Sequence, residues 1–146
     1  MPLAPEKTRD QNDAAAKPAI IAALSSLGNP LVTRRNDQPA FDGEELVFVP
    51  SPILPHKLSV GYSNPAMKIV ESINGIKGRN LAHLVTILRD AKDEFVVIEY
   101  ATRSAETMIF PHRETLAATD AILNDNGVRA QGSPDLMAIW NVAPAK

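Results

Sequence analysis

The sequence predicts an α+β domain: a small, mostly antiparallel sheet or partial barrel flanked by two helices, with an extra N-terminal helix. Three observations lead there. Strand-like runs "LVFV", "MKIVESI", "EFVVIEY" and "AETMIF" all lie after residue 45. The helical segments among them do not follow the regular βα alternation of a doubly wound parallel sheet. Asn74-Gly75 closes the second run, a pair that tolerates positive φ and favours a tight turn.

Taken in order, residues 1–13 are polar and Pro-punctuated and read as a flexible lead-in. A helix is expected over about 14–27, capped by Asp13 and closed by Gly28, with Pro18 tolerable only near its first turn. Ile20, Ile21, Leu24 and Leu27 give it one narrow apolar face. "NPLVTRRNDQPAFDGEE" reads as a long connection. "LVFV" is a short buried strand stopped by Pro50 and Pro52. The loop that follows holds one helical turn through Lys57 to Val60, closed by Gly61. "MKIVESI" alternates, bringing Ile69 and Ile73 to one side with Met67 beside them.

A short polar link then leads to "NLAHLVTILRDA", a helix capped by Asn80 with Leu81, Leu84, Val85 and Leu88 on one face. Two strands joined by "ATRS" follow. The last expected helix runs from about Pro111 to Asn126, with Leu116, Thr119, Ile122 and Leu123 inward and Gly127 at its end. The tail reads as irregular, with Leu136, Met137, Ile139 and Trp140 available to dock. Residues 1–43 are an N-terminal extension and 44–140 the main domain.

Composition narrows the function. The 146 residues are 45% hydrophobic, a globular balance. Fifteen basic against 17 acidic side chains leave a net charge of -2, and aromatics are 5%. Neither a basic field nor stacking platforms exist for nucleic acid. With no cysteine, thiolate chemistry, disulfides and Cys-ligated zinc are excluded, while the compartment is left open. "PAIIAALSSLG" is too short to span a bilayer and poor as a signal segment, because Glu6, Asp10 and Asp13 precede it.

The element order and several local motifs resemble the second, C-terminal PDZ domain of Deg/HtrA-like (Do-like) serine proteases. Leu46–Leu54 holds the strand position of that family, Gly61-Tyr62 the end of its loop, and Asn74-Gly75 its turn. Asn80-Leu81-Ala82-His83-Leu84 matches its helix start, and Thr119, Ile122, Leu123, Ser133, Asp135 and Leu136 its closing helix and tail. The resemblance covers Glu45 to Leu136. It implies a PDZ-like fold and a non-catalytic module that binds polypeptides or neighbouring PDZ and protease domains. It further implies a homo-oligomeric parent engaged in proteolysis and protein quality control, with no cofactor. Leu81, Leu84, Val85 and Leu88 would form the helix-side wall of a groove, and Gly61, Tyr62, Asn74, Gly75 and Asn80 the structural motif. A self-standing adaptor without a protease is the alternative.

The departures from the family are concrete. Residues 1–43 offer only "LGNPLV" for the strand that should flank such a groove, and Pro30 lacks the N–H that strand addition needs. No "GNSGG" nucleophile stretch occurs, and Ser25-Ser26 sits mid-helix without a glycine elbow. His56, His83 and His112 lack ligand spacing, so no metal is expected. His83 reads as a capping residue instead. The carboxylates at Glu44-Glu45, Asp90-Asp93-Glu94 and Asp120-Asp125 read as solvated, with no nucleophile or phosphate loop beside them. The helix over about 14–27 is expected to pack across the groove edge or to replace a contact with a preceding domain.

Overall fold

The structure is a computed structural model that describes residues 7–143, with side-chain surroundings from residue 17 onward. In chain order it contains α1 (Lys7–Ser26), α2 (Pro30–Thr33), a 3₁₀ turn (Lys57–Ser59), β1 (Val70–Ile73), β2 (Ile76–Lys77) and α3 (Leu81–Asp90). There follow β3 (Phe95–Tyr100), β4 (Met108–Pro111), α4 (His112–Asp125) and α5 (Pro134–Trp140). The four strands form one open sheet in the order β2-β1-β3-β4, every pairing antiparallel. The α+β class and the small antiparallel sheet are as expected.

Ile73-Asn74-Gly75-Ile76 is a two-residue hairpin, with Ile73 paired to Ile76 and φ of 51° at Asn74 and 76° at Gly75. Positive φ at both central residues matches the right-handed twist of the strands it joins. Asn74 does more than turn the chain. Its Oδ1 accepts the Val97 N–H at 2.7 Å, its own N–H reaches the Val97 carbonyl, and its Nδ2 donates to Asp93. The turn therefore extends the β1–β3 ladder with a side chain.

Strict alternation along "MKIVESI" would place Glu71 beside Ile69 and Ile73. An irregularity between Val70 and Ser72 turns Glu71 out instead, toward Lys77 at 3.7 Å. Ile69 and Ile73 are both buried, whereas Met67 takes a φ of 66° and is exposed rather than packed beside them. The "LVFV" run makes only a single bridge, Phe48 to Ile69, flanked by hydrogen bonds from Val49 to Lys68 and from Val70 to Val47. Pro50 follows at once and has no N–H to extend it.

Helix α3 starts where Asn80 accepts the His83 N–H at 2.8 Å, and His83 Nδ1 accepts the Arg79 N–H in return. Two N–H groups at the start of the helix are thereby bonded by side chains rather than water. Its inward residues are Leu84 and Ile87, which join Ile73 and Val96 in the core. Each such buried aliphatic side chain is worth roughly 1.5–3 kcal/mol. Gly78 is a glycine for space, not for φ: a Cβ there would lie 2.5 Å from Leu84 Cδ2.

The 34–45 connection is ordered against the start of α3. Arg34 holds Glu44 through two bonds of 2.9 and 3.1 Å, Asn80 Nδ2 donates to the Gly43 carbonyl, and Glu45 N–H reaches the Arg79 carbonyl. The Arg34 guanidinium, followed by the Ala40 N–H, holds the Glu44 carboxyl below its ordinary value of 4.5.

Three expectations need correction. α1 begins at Lys7, so the lead-in expected over 7–13 is helical, and residues 1–6 lie outside the described residues. Pro18 accordingly falls inside the helix; Ala14, Ala15 and Ala16, the best helix formers, precede it and carry the helix through the lost hydrogen bond. Ile20, at 53% exposure, and also Ile21 and Leu27 face solvent instead of packing across a groove edge. Just past its end the chain is anchored: Asn29, 1% exposed, donates to the Met67 carbonyl at 2.7 Å, and Leu27 accepts the Arg103 N–H. Finally, the tail is not irregular. Pro134 at the first helical position after Ser133 opens α5.

Gly78→Ala is expected to lower the unfolding free energy by about 1–3 kcal/mol through the clash with buried Leu84, measured by urea unfolding. Because the Glu44 carboxyl titrates lower when folded, its contribution is present above the unfolded value and is lost as pH falls through the folded one. Glu44→Gln should therefore flatten the acid limb of stability against pH and leave the neutral limb parallel to the parent, read from melting midpoints.

Candidate protein-binding groove

One face of the sheet is only partly covered. Register places Ile73, Val96, Ile98, Met108 and Phe110 on this side. α3 covers the end near Ile73, α4 lies against β4, and α5 packs on α3. Between them opens an apolar groove of about 590 Å³. Its floor is Val96, Ile98 and Phe110 of the sheet.

The walls come from each helix in turn. Leu81, Val85 and Leu88 of α3 line one side. Leu84 does not: at 4% exposure it points into the core, because the α3 face in contact with the sheet is set by Leu84 and Ile87, one turn-step from the other three. α4 supplies Leu116, Thr119 and Ile122, and Leu116 is 48% exposed. α5 supplies Leu136, Met137 and Trp140. From sequence, Met137 and Trp140 read only as docking residues of a tail. The sequence signal for them was Ser133-Pro134-Asp135, a helix start, followed by apolar residues at helical spacing. α5 is tied to α3 by Arg89, whose Nη1 donates to the Ile139 carbonyl at 3.1 Å. The Asp135 carboxyl, bonded by the Ser133 hydroxyl and first-turn amides, sits below its ordinary range, as suits a helix N-terminus.

The loop before β1 forms the remaining wall through Ile53, Leu54 and Leu58. Gly61, with φ of 93°, turns the chain there, and the Tyr62 hydroxyl reaches across to the backbone of Ile109. Asn74, Gly75 and Asn80 lie away from the groove, in the turn and cap already described.

The groove offers apolar contact chemistry, with two histidines at its margin. His56 Nδ1 accepts the Leu58 N–H, and His112 Nδ1 donates to the Asp93 carbonyl. Each ring is thus engaged in local backbone bonding. Among the described residues, no three His, Asp or Glu side chains are grouped to hold a metal ion, and no helix is long and apolar enough to cross a membrane.

Trp140 is the only tryptophan, so its fluorescence reports on the groove. An apolar dye should shift Trp140 emission on saturation, and Leu116→Glu should weaken that binding about tenfold or more, since a charge must then be desolvated. An unchanged titration in Leu116→Glu would place the dye elsewhere.

Comparison with known proteins agrees with this architecture. The PDZ domain family matches residues 23–135, from the last turns of α1 into α5. A relative, "Protease Do-like 2, chloroplastic" of Arabidopsis thaliana, is 28% identical over 113 residues. That similarity covers 77% of this chain but 18% of the relative, so the chain spans under a fifth of its length. PDZ domains are binding modules for peptides and proteins rather than catalysts. The open antiparallel sheet, the Asn-Gly turn, the Asn-capped helix and the matched span together make the chain a member of the PDZ domain family, similar to part of a Do-like protease.

Proposed function

We propose that this PDZ domain is a non-catalytic protein-binding and oligomerisation module of a Deg/HtrA-type serine protease engaged in protein quality control. The observation that carries the reading is the open apolar groove between α3, α4, α5 and the sheet, in a chain whose relative is a Do-like protease. The partner would be a polypeptide presenting apolar side chains, from a neighbouring PDZ or protease domain of the assembly. Leu81, Val85 and Leu88 would contact it directly, and Leu84 would hold α3 in place from behind. Apolar contact of this kind releases water from both surfaces and needs few polar partners.

Strand addition is the usual PDZ mode, and its geometry is unfavourable here. Before Phe48 the described residues contain no strand, and β2 runs straight into α3. Helix or side-chain docking in the groove fits better.

Binding of labelled peptides with apolar termini, followed by anisotropy, tests the reading. Saturable binding that Val85→Glu weakens by about tenfold, near 1.4 kcal/mol, is the expected result. Absence of saturable binding at millimolar peptide, or equal binding by Val85→Glu, would remove the groove from the function. Assembly size in the presence and absence of a Do-like protease part separates a protease module from a free adaptor.

A further inference from the structure

The Gly61-Tyr62 pair has a structural consequence independent of the groove. β4 is the outer strand of the sheet on one side, with β3 as its inner neighbour. Val97 turns its N–H and carbonyl toward Asn74 and β1. Its partner Ile109 therefore faces the other way, and both its backbone groups point off the sheet edge. The Tyr62 hydroxyl takes both, donating to the Ile109 carbonyl at 2.7 Å and accepting the Ile109 N–H at 3.1 Å. The next outward position is Pro111, which has no N–H, and its carbonyl accepts the Thr115 hydroxyl.

What is covered is a hazard. "TMIF", Thr107 to Phe110, is uncharged, β-prone and partly exposed, and a free edge of this type pairs with its own copy. The latch is braced on both sides. Ser63 N–H donates to Glu106 Oε2 at 2.8 Å, and the Tyr62 ring lies 5.5 Å from the Phe110 ring. Gly61, at φ 93°, provides the reversal that aims Tyr62 back at the strand.

We propose that Gly61-Tyr62 is an edge latch: the Tyr62 phenol occupies the outward backbone pair of Ile109 and so prevents β4 from pairing antiparallel with β4 of a second copy. Removing the hydroxyl opens that edge to self-association.

Tyr62→Phe keeps the ring on Phe110 and deletes the hydroxyl. Amide exchange at Ile109 should accelerate by about tenfold or more while Val97 stays protected. Sedimentation at rising concentration should show more dimer than the parent chain. Adding Ile109→Pro, which removes the outward N–H and leaves the β3 ladder intact, should return association to the parental level. Unchanged exchange at Ile109, no gain in dimer, or association that survives Ile109→Pro would each overturn the latch. If Val97 also loses protection, Glu106→Ala, which removes the acceptor of the Ser63 N–H, takes the place of Tyr62→Phe. Weakening the Ser63 brace should then accelerate Ile109 alone, and no acceleration would overturn the proposal.

Discussion

Leu84 packed against the bare backbone at Gly78 is the contact on which the rest of the domain depends. It lets α3 come down on the sheet directly after β2, with only Gly78 to Asn80 between them. Leu84 and Ile87 then meet Ile73 and Val96, and the Asn74 side chain locks the same two strands together at the turn. Hairpin, cap and core are three views of one assembly. A side chain at Gly78 would lift the helix and separate them.

That core is small, and its size explains the groove. α4 and α5 bury no residue completely, because the sheet has already spent its central residues on α3. Their apolar sides, with Leu116, Ile122, Met137 and Trp140, cover what remains without closing over it. A domain of this construction keeps apolar surface in reach of partners without dissolving its own fold. Its sheet edges are guarded at the same time: prolines end the segment around Phe48, and Tyr62 sits on Ile109.

Local signals in the sequence were read where a residue acts on its neighbours. Asn74-Gly75, Asn80, the run from Phe95 to Tyr100 and the closing helix from Pro111 were all legible, since turn, cap and alternation are short-range. Signals failed where a distant contact decides. Ile87 does not read as inward from sequence, because only the approach of the sheet chooses between it and Leu81. The bulge that expels Glu71 arises from pairing with β3, and no local pattern marks it. Gly78 looked like link chemistry; its reason is a leucine six residues on. For the groove, helical spacing reveals the apolar face of α3, and only the family resemblance suggests a wall there; the α5 wall is hidden when Ser133-Pro134-Asp135 reads as loop.

Asn29 joins two parts of the molecule that differ in how they are held. Upstream, Ile20, Ile21 and Leu27 face solvent; downstream, the Asn29 amide is sealed between the Leu31 N–H and the Met67 carbonyl. Pulling Asn29 away would leave a buried polar group without either partner, so this joint is held to the residues leading to β1. The end of the helix is a pinned joint, seated on the segment that leads into the sheet.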